Sequence, residues 1–268
     1  MAKQKSLLHK IVFISFFVMV CFVGFHFIHP DVSKLQKVNP QKTAFMEYRE
    51  KEWVREGKKY KVQQIWVPFK AISPYLVKAV LIGEDDKFWQ HEGFDYEAMQ
   101  KAMEKDIKAK KFKLGGSTIS QQLAKNLYLS PSKNPVRKLR EAIITWRMER
   151  VISKKRILEI YLNIAEWGDR GIFGIESAAR HYYGKSASAL GPEEAARLAA
   201  VLPNPRKFNP LGSSRYVVNR SNLIYNIMVR RGIVVPEYEE VEQASPGSSE
   251  EHNDRTVPPI EETKPASD

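Results

Sequence analysis

The chain has 268 residues, 43% of them hydrophobic, which is enough for one globular domain with a real core and some attachments. Its formal net charge of +12 is uneven: residues 237–268 carry ten acidic side chains against Arg255 and Lys264, a net of −8, which leaves +20 for residues 1–236. No zinc-finger spacing, basic zipper or RNA-binding aromatic signature accompanies this charge, so no nucleic-acid partner is expected, and the single cysteine, Cys21, excludes an internal disulfide framework.

Sustained apolarity occurs once, in residues 11–28 (IVFISFFVMVCFVGFHFI), which contain no formal charge and would reach about 27 Å as a helix, close to a bilayer core. A cleaved signal peptide normally has a shorter apolar run and ends in a small-x-small site, whereas HPDVSK follows here. Lys3, Lys5 and Lys10 precede the segment, so the expectation is a cytoplasmic N-terminus (1–10), one transmembrane anchor (11–28) and an exported remainder. A basic body beside a membrane suits anionic headgroups or a phosphorylated lipid, and equally an ordinary solvated surface rich in lysine.

Residues 31–70 mix charge with Trp53, Tyr60, Trp66 and Phe69 without a long helical period, and read as a small membrane-proximal subdomain. From Ser73 the chain is repeatedly helical. Ser73-Pro74, Asn134-Pro135 and Gly191-Pro192 each place proline in a first turn, where its missing N–H costs nothing. Asp95, Ser117 and Ser153 are candidate N-caps, and Gly184 and Gly232 candidate stops. With no run of alternating β-branched residues, the fold class is mainly α, built from short helices in a domain spanning 29–235. The tail 236–268, rich in Glu, Ser and Pro, is expected to be disordered.

Three segments have the composition of a site. Residues 83–95 (GEDDKFWQHEGFD) end an apolar helix with acids, a histidine and aromatics; carboxylates are unfavourable at a helix C-terminus, so either Glu84 to Asp86 serve chemistry or the helix stops at Ile82 and they begin a solvated loop. Residues 113–126 (KLGGSTISQQLAKN) set glycines and hydroxyls before a helix whose free N–H groups can hold an anion, with Lys125 two turns on; the plainer reading is a glycine turn capped by Ser117. The nucleotide P-loop spacing is absent. In residues 134–141 (NPVRKLRE), Arg137, Lys138 and Glu141 share one helical face, as a surface salt bridge or as a carboxylate held among cations beside a pyrophosphate.

These segments, in this order and followed by residues 153–163 (SKKRILEIYLN), 164–168 (IAEWG) and 199–205 (AAVLPNP), resemble the signature of glycosyltransferase family 51, and within it the monofunctional biosynthetic peptidoglycan transglycosylases. The likeness begins near Trp53 and is strongest over residues 74–205. It implies a lysozyme-like helical glycosyltransferase domain with a small hydrophobic jaw, docked on the outer face of the bacterial cytoplasmic membrane. Glu84 falls on the catalytic glutamate of that family and Glu141 on its second. Asp85, Phe88 and His91 complete the first motif; Ser117, Thr118, Gln121, Gln122, Lys125 and Asn126 match the second; Arg137 and Lys138 match the third.

The implied reaction joins two lipid-linked disaccharides. Glu84 as base takes the proton of an acceptor N-acetylglucosamine 4-hydroxyl as it attacks the anomeric carbon of the growing lipid-linked chain with inversion, and undecaprenyl pyrophosphate leaves. Lys125 and Arg137, with Lys138 nearby, stabilise its charge. Glu141 orients those cations or the donor, or helps ligate Mg2+ or Mn2+, although no metal cage shows in the sequence and no cofactor is required. The expected partners are lipid II, the growing chain, the membrane and other cell-wall or division proteins.

Bifunctional relatives add a transpeptidase, but the formal Ser-x-x-Lys at Ser130 to Lys133 overlaps the formal Ser-x-Asn at Ser132 to Asn134, no Lys-Thr-Gly follows, and fewer than forty residues remain after Arg231. A lytic transglycosylase or muramidase is the alternative enzyme. Paired Lys125 and Arg137 favour synthesis, since pyrophosphate departure needs cations and glycan cleavage does not. A membrane scaffold of a cell-wall assembly complex, docking through the acidic tail, is the alternative outside enzymology.

Overall fold

The computed structural model describes residues 2–109, 116–131 and 134–234. The lead into the second motif at 113–115, Ser132 and Lys133, and the tail 236–268 lie outside the described residues. The chain divides into a body, residues 1–233, and a unit of residues 234–268, and all ten described α-helices belong to the body. The mainly helical expectation therefore holds.

Helix α1 (Ala2–Ile28) contacts α6 (Pro135–Val151), where Arg147 Nη2 donates to the carbonyl of Ile28 at 3.0 Å. Among the described residues no helix is long and apolar enough to cross a membrane. The next segment departs from its aperiodic reading: α2 (Ala44–Arg55) starts at Thr43, whose hydroxyl accepts from the Met46 N–H at 3.1 Å, and buries Met46 and Trp53. Interspersed charges masked the period. Strand β1 (Gln63–Gln64) pairs in parallel with β2 (Ile172–Phe173), Gln63 opposite Ile172, and Asn163 exchanges hydrogen bonds with both backbone groups of Val67 at 2.9 Å. Residues 63–67 are thus stitched along the body through their backbone groups, by strand pairing and by the Asn163 side chain.

Helix α3 (Pro74–Glu84) opens on Ser73-Pro74, but the Ser73 hydroxyl donates to the Leu190 carbonyl at 2.7 Å instead of capping its own helix. It packs against α9 (Pro192–Val201) and α10 (Arg215–Arg230), burying Leu76, Ala79 and Val80 completely. Asp95 caps α4 (Tyr96–Ala109), accepting from the Ala98 N–H at 2.9 Å, and Asn134 caps α6. Ser153 starts α7 (Lys154–Ile164), which ends where Ala165 turns extended. Gly184, at φ 65°, stops α8 (Ile175–Tyr183), and Gly232, at φ 66°, follows the end of α10 as anticipated.

Helix α5 (Ile119–Tyr128) lies against α2, α6 and α7. Its apolar face, Ile119, Leu123 and Ala124, is fully buried, and each of the two larger side chains contributes about 1.5–3 kcal/mol by leaving water. That burial fixes the rotation of α5, so its polar residues face α3 and α6.

Candidate active site

Glu84 closes α3. The helix does not stop at Ile82: its last turn carries the carboxylate inward, with a side chain only 9% exposed. Oε2 accepts from Gln122 Nε2 at 2.9 Å. Oε1 is buried without a hydrogen-bond partner among the described residues and faces Arg220 Nη2 at 3.6 Å. Burial dominates and raises the pKa of Glu84; the Gln122 hydrogen bond, Arg220 and Lys125 oppose it without cancelling it. A carboxylate so placed is a stronger base than a solvated one once it ionises.

The rest of the first motif is a frame. Asp85 accepts from the Ile119 N–H at 2.9 Å through Oδ2, and its Oδ1 lies 2.9 Å from His91 Nε2. The Gly93 N–H donates to His91 Nδ1 at 3.1 Å, which assigns the ring proton to Nε2 and makes His91 the donor to Asp85. Gly93 sits at φ +91°, and a Cβ there would lie 2.9 Å from side-chain carbons of Thr145 and Glu149. Only glycine fits. Phe88 is 0% exposed, edge-on to His91 and beneath Lys154 Nζ at 4.5 Å. Expected at the substrate, Phe88 has no surface to offer it, and both oxygens of Asp85 are occupied within the chain. These residues hold α3 to α5.

The second motif is also partly structural. Thr118, not Ser117, caps α5: its hydroxyl accepts from the Gln121 N–H at 3.2 Å and donates to the Gly93 carbonyl at 2.7 Å, while Gln121 Oε1 accepts from the Thr118 N–H at 3.1 Å. The Ile119 N–H belongs to Asp85. Three N–H groups of the anticipated anion cradle, those of Thr118, Ile119 and Gln121, are therefore taken up within the chain. Ser117 Oγ lies 3.4 Å from Lys138 Nζ.

Gln122, Lys125 and Asn126 follow at helical spacing. Tyr161 OH donates to Gln122 Oε1 at 3.0 Å, which turns the Gln122 amide nitrogen toward Glu84. Burial pushes the Tyr161 phenol well up, so it stays a donor. Asn126, one turn after Gln122, is buried. Lys125 makes no hydrogen bond or salt bridge among the described residues; burial lowers its pKa, Arg137 and Lys138 add to that, and Glu141 and Glu84 oppose it. It therefore lies in the field of both glutamates.

On α6, Arg137 Nη1 lies 2.5 Å from Glu141 Oε2, and Lys138 Nζ bonds Oε1. The Glu141 side chain is 3% exposed, too deep for the surface salt bridge left open by its spacing. An open cleft of roughly 260 Å³ is bordered by Glu84, Asp86, Lys101, Ser117 and Thr118.

Sequence reasoning missed two residues. Tyr161 stands in residues 153–163 as a phenol in an apolar run, a pattern that asks for a buried partner. Arg220 gave no local signal. It reaches from α10 to donate to the Gly83 carbonyl at 2.8 Å beside Glu84.

The transglycosylase family model matches residues 50–229. Among similar proteins, the biosynthetic peptidoglycan transglycosylase of Nitrosospira multiformis is 46% identical over 218 residues, covering 81% of this chain and 94% of its own. Those of Dechloromonas aromatica (52% over 187 residues; 70% and 80%) and Aromatoleum aromaticum (51% over 191; 70% and 83%) carry the same description. With the three motifs assembled around Glu84, Lys125 and Glu141, and a match over most of its length, this chain belongs to the transglycosylase family.

Proposed function

We propose that the protein is a peptidoglycan glycosyltransferase that polymerises lipid II with inversion and release of undecaprenyl pyrophosphate. The observation that carries this reading is a buried Glu84 with Oε1 unpartnered among the described residues, set with a Glu141 fully paired by Arg137 and Lys138, and Lys125 in the field of both. Glu84 is the base: its unpartnered Oε1 is the atom that takes the 4-hydroxyl proton of the acceptor as that oxygen bonds the donor anomeric carbon and the bond to the pyrophosphate breaks. Lys125, Arg137 and Lys138 take up the charge of the departing pyrophosphate, and a single cation poorly solvated by water, as Lys125 is, acts more strongly there than an exposed one. Glu141 positions Arg137 and Lys138. Ser117, Gln122 and Asn126 complete the polar wall.

The cations distinguish synthesis from lysis, because glycan cleavage has no anionic leaving group of this kind. We assign any Mg2+ or Mn2+ requirement to the substrate's pyrophosphate rather than to a protein cage: both oxygens of Glu141 are engaged by cations, which repel a second positive ion. No step runs through a metal.

We further propose that α1 anchors the enzyme in the bacterial cytoplasmic membrane, with the catalytic domain outside and residues 31–70 near the bilayer as the jaw. Phe13, Phe16 and Phe17 are more than half exposed on α1, and residues 11–28 lack charge. Both substrates are held in the membrane by polyprenyl tails, so tethering raises their effective concentration.

The test is incubation of detergent-solubilised wild type and Glu84→Gln with labelled lipid-linked disaccharide pentapeptide. Polymer from the wild type and none from a folded variant is expected. Release of anhydro or reducing muropeptides from sacculi, with no polymer, would overturn the reading.

A further inference from the structure

A second cleft, sharing no residue with the one at Glu84, is built from α2, the turn before β2 and the loop after α9. It has a volume of about 430 Å³ and adjoins a cavity of about 340 Å³ through the shared residues Asp169, Arg170, Arg206 and Lys207. Its back wall is braced. Glu52 Oε2 accepts from both Arg49 Nη1 and Arg206 Nη1 at 2.8 Å, and Glu166 Oε2 accepts from Arg49 Nε and Nη2 at 3.2 and 2.8 Å. One carboxylate oxygen thereby holds two guanidinium groups side by side.

The front wall is strained into place. Arg170 is the one described non-glycine residue at positive φ, 60°, and it precedes Gly171 at 86°, where a Cβ would lie 2.2 Å from the Lys61 carbonyl oxygen. A left-handed arginine is strained, and such strain gathers at functional positions. The Arg170 side chain makes no hydrogen bond or salt bridge among the described residues.

The charge pattern selects the ligand. Arg49 and Arg206 are balanced by Glu52 and Glu166, and Lys58 by Glu56 at 2.7 Å. What is left facing the cleft is Arg170 and Lys207 against Asp169, a single net positive charge. That matches one carboxylate. It is too little for a pyrophosphate, and a concave cleft of this size does not match a flat membrane surface. Asp169 offers a place for an amino group in the same ligand.

We propose that this cleft binds the carboxylate-bearing stem peptide of the glycan strand, with Arg170 and Lys207 on the carboxylate and Asp169 on an amine. The proposal rests on the glycosyltransferase reading and assigns the enzyme a hold on its polymer away from the reacting centre. It requires no chemistry in the cleft.

The test is fluorescence anisotropy of a labelled disaccharide pentapeptide on the full-length protein in detergent, in the Glu84→Gln background so that nothing is consumed. The comparison ligand is the same disaccharide after amidase has removed the peptide. Arg170→Gly, which relieves the backbone strain and so keeps the fold, combined with Lys207→Ala is expected to weaken pentapeptide binding about tenfold or more, with the peptide-free disaccharide bound weakly by both proteins. Equal binding of the two ligands, unchanged binding by the variant, or displacement by inorganic phosphate as effective as by unlabelled pentapeptide would each overturn the proposal. The polymerisation assay reports separately on the catalytic reading, so failure of one is not mistaken for failure of the other.

Discussion

Arg220 Nη2 donates to the Gly83 carbonyl at 2.8 Å and lies 3.6 Å from Glu84 Oε1, while Arg220 Nε and that same carboxylate oxygen are both buried without hydrogen-bond partners among the described residues. The guanidinium stands close enough to favour the ionised carboxylate without fixing its free oxygen. A direct hydrogen bond would stabilise the anion and weaken the base.

Replacing Arg220 with Gln is therefore expected to raise the Glu84 pKa further. The acid limb of kcat/KM, which follows ionisation of the base, should move to higher pH, while the rate on the plateau falls less than about tenfold. An acid limb in the wild-type position would show that Arg220 acts on structure alone.

The wild-type profile itself should be a bell narrowed from both sides. Glu84 is raised by burial, so activity is gained as pH climbs through a value above the ordinary glutamate range. Lys125 is lowered by burial, so its cation, and the activity that needs it, is lost as pH climbs through a value below the ordinary lysine range. Lys125→Arg should carry the alkaline limb upward, since a guanidinium stays charged, at reduced kcat from altered geometry. An unmoved alkaline limb would remove Lys125 from the charged machinery.

Tyr161→Phe removes the hydroxyl that orients the Gln122 amide. Freed to rotate, the amide presents its oxygen to Glu84 part of the time and repels the anion. Loss of about threefold to thirtyfold in kcat with KM little changed is expected, together with a stability loss of about 1 kcal/mol by denaturant titration. A stability loss with unchanged kcat would confine Tyr161 to packing.

Thr118→Ala deletes the cap of α5 and its bond to the Gly93 carbonyl. Stability should drop by roughly 1–2 kcal/mol, and Thr118→Ser should restore most of it. An alanine variant as stable as wild type would mean that the reciprocal Gln121 bond is sufficient.

Local geometry was legible in the sequence. The spacing of Arg137, Lys138 and Glu141 settles that they share a face, because an α-helix places i, i+3 and i+4 together whatever surrounds it. Caps at Asp95, Asn134 and Ser153 and the stops at Gly184 and Gly232 follow from backbone sterics and unsatisfied end groups, which are equally local. The sequence points to Ser117 as the cap of α5, although a hydroxyl at either of two adjacent positions can serve and local pattern does not separate them. The role falls to Thr118, whose side chain also reaches the Gly93 carbonyl 25 residues away. Only tertiary packing decided what Glu84 is. The same acid ends a helix either in water or in a buried pocket, and the difference lies in α9 and α10 covering α3, in Gln122 approaching across 38 residues, and in Arg220 arriving from α10. Desolvation depends on every element that excludes water from a site, so no window of sequence contains it. Tertiary packing likewise withdrew Phe88 into the core and assembled the cleft at Arg170 from segments more than a hundred residues apart.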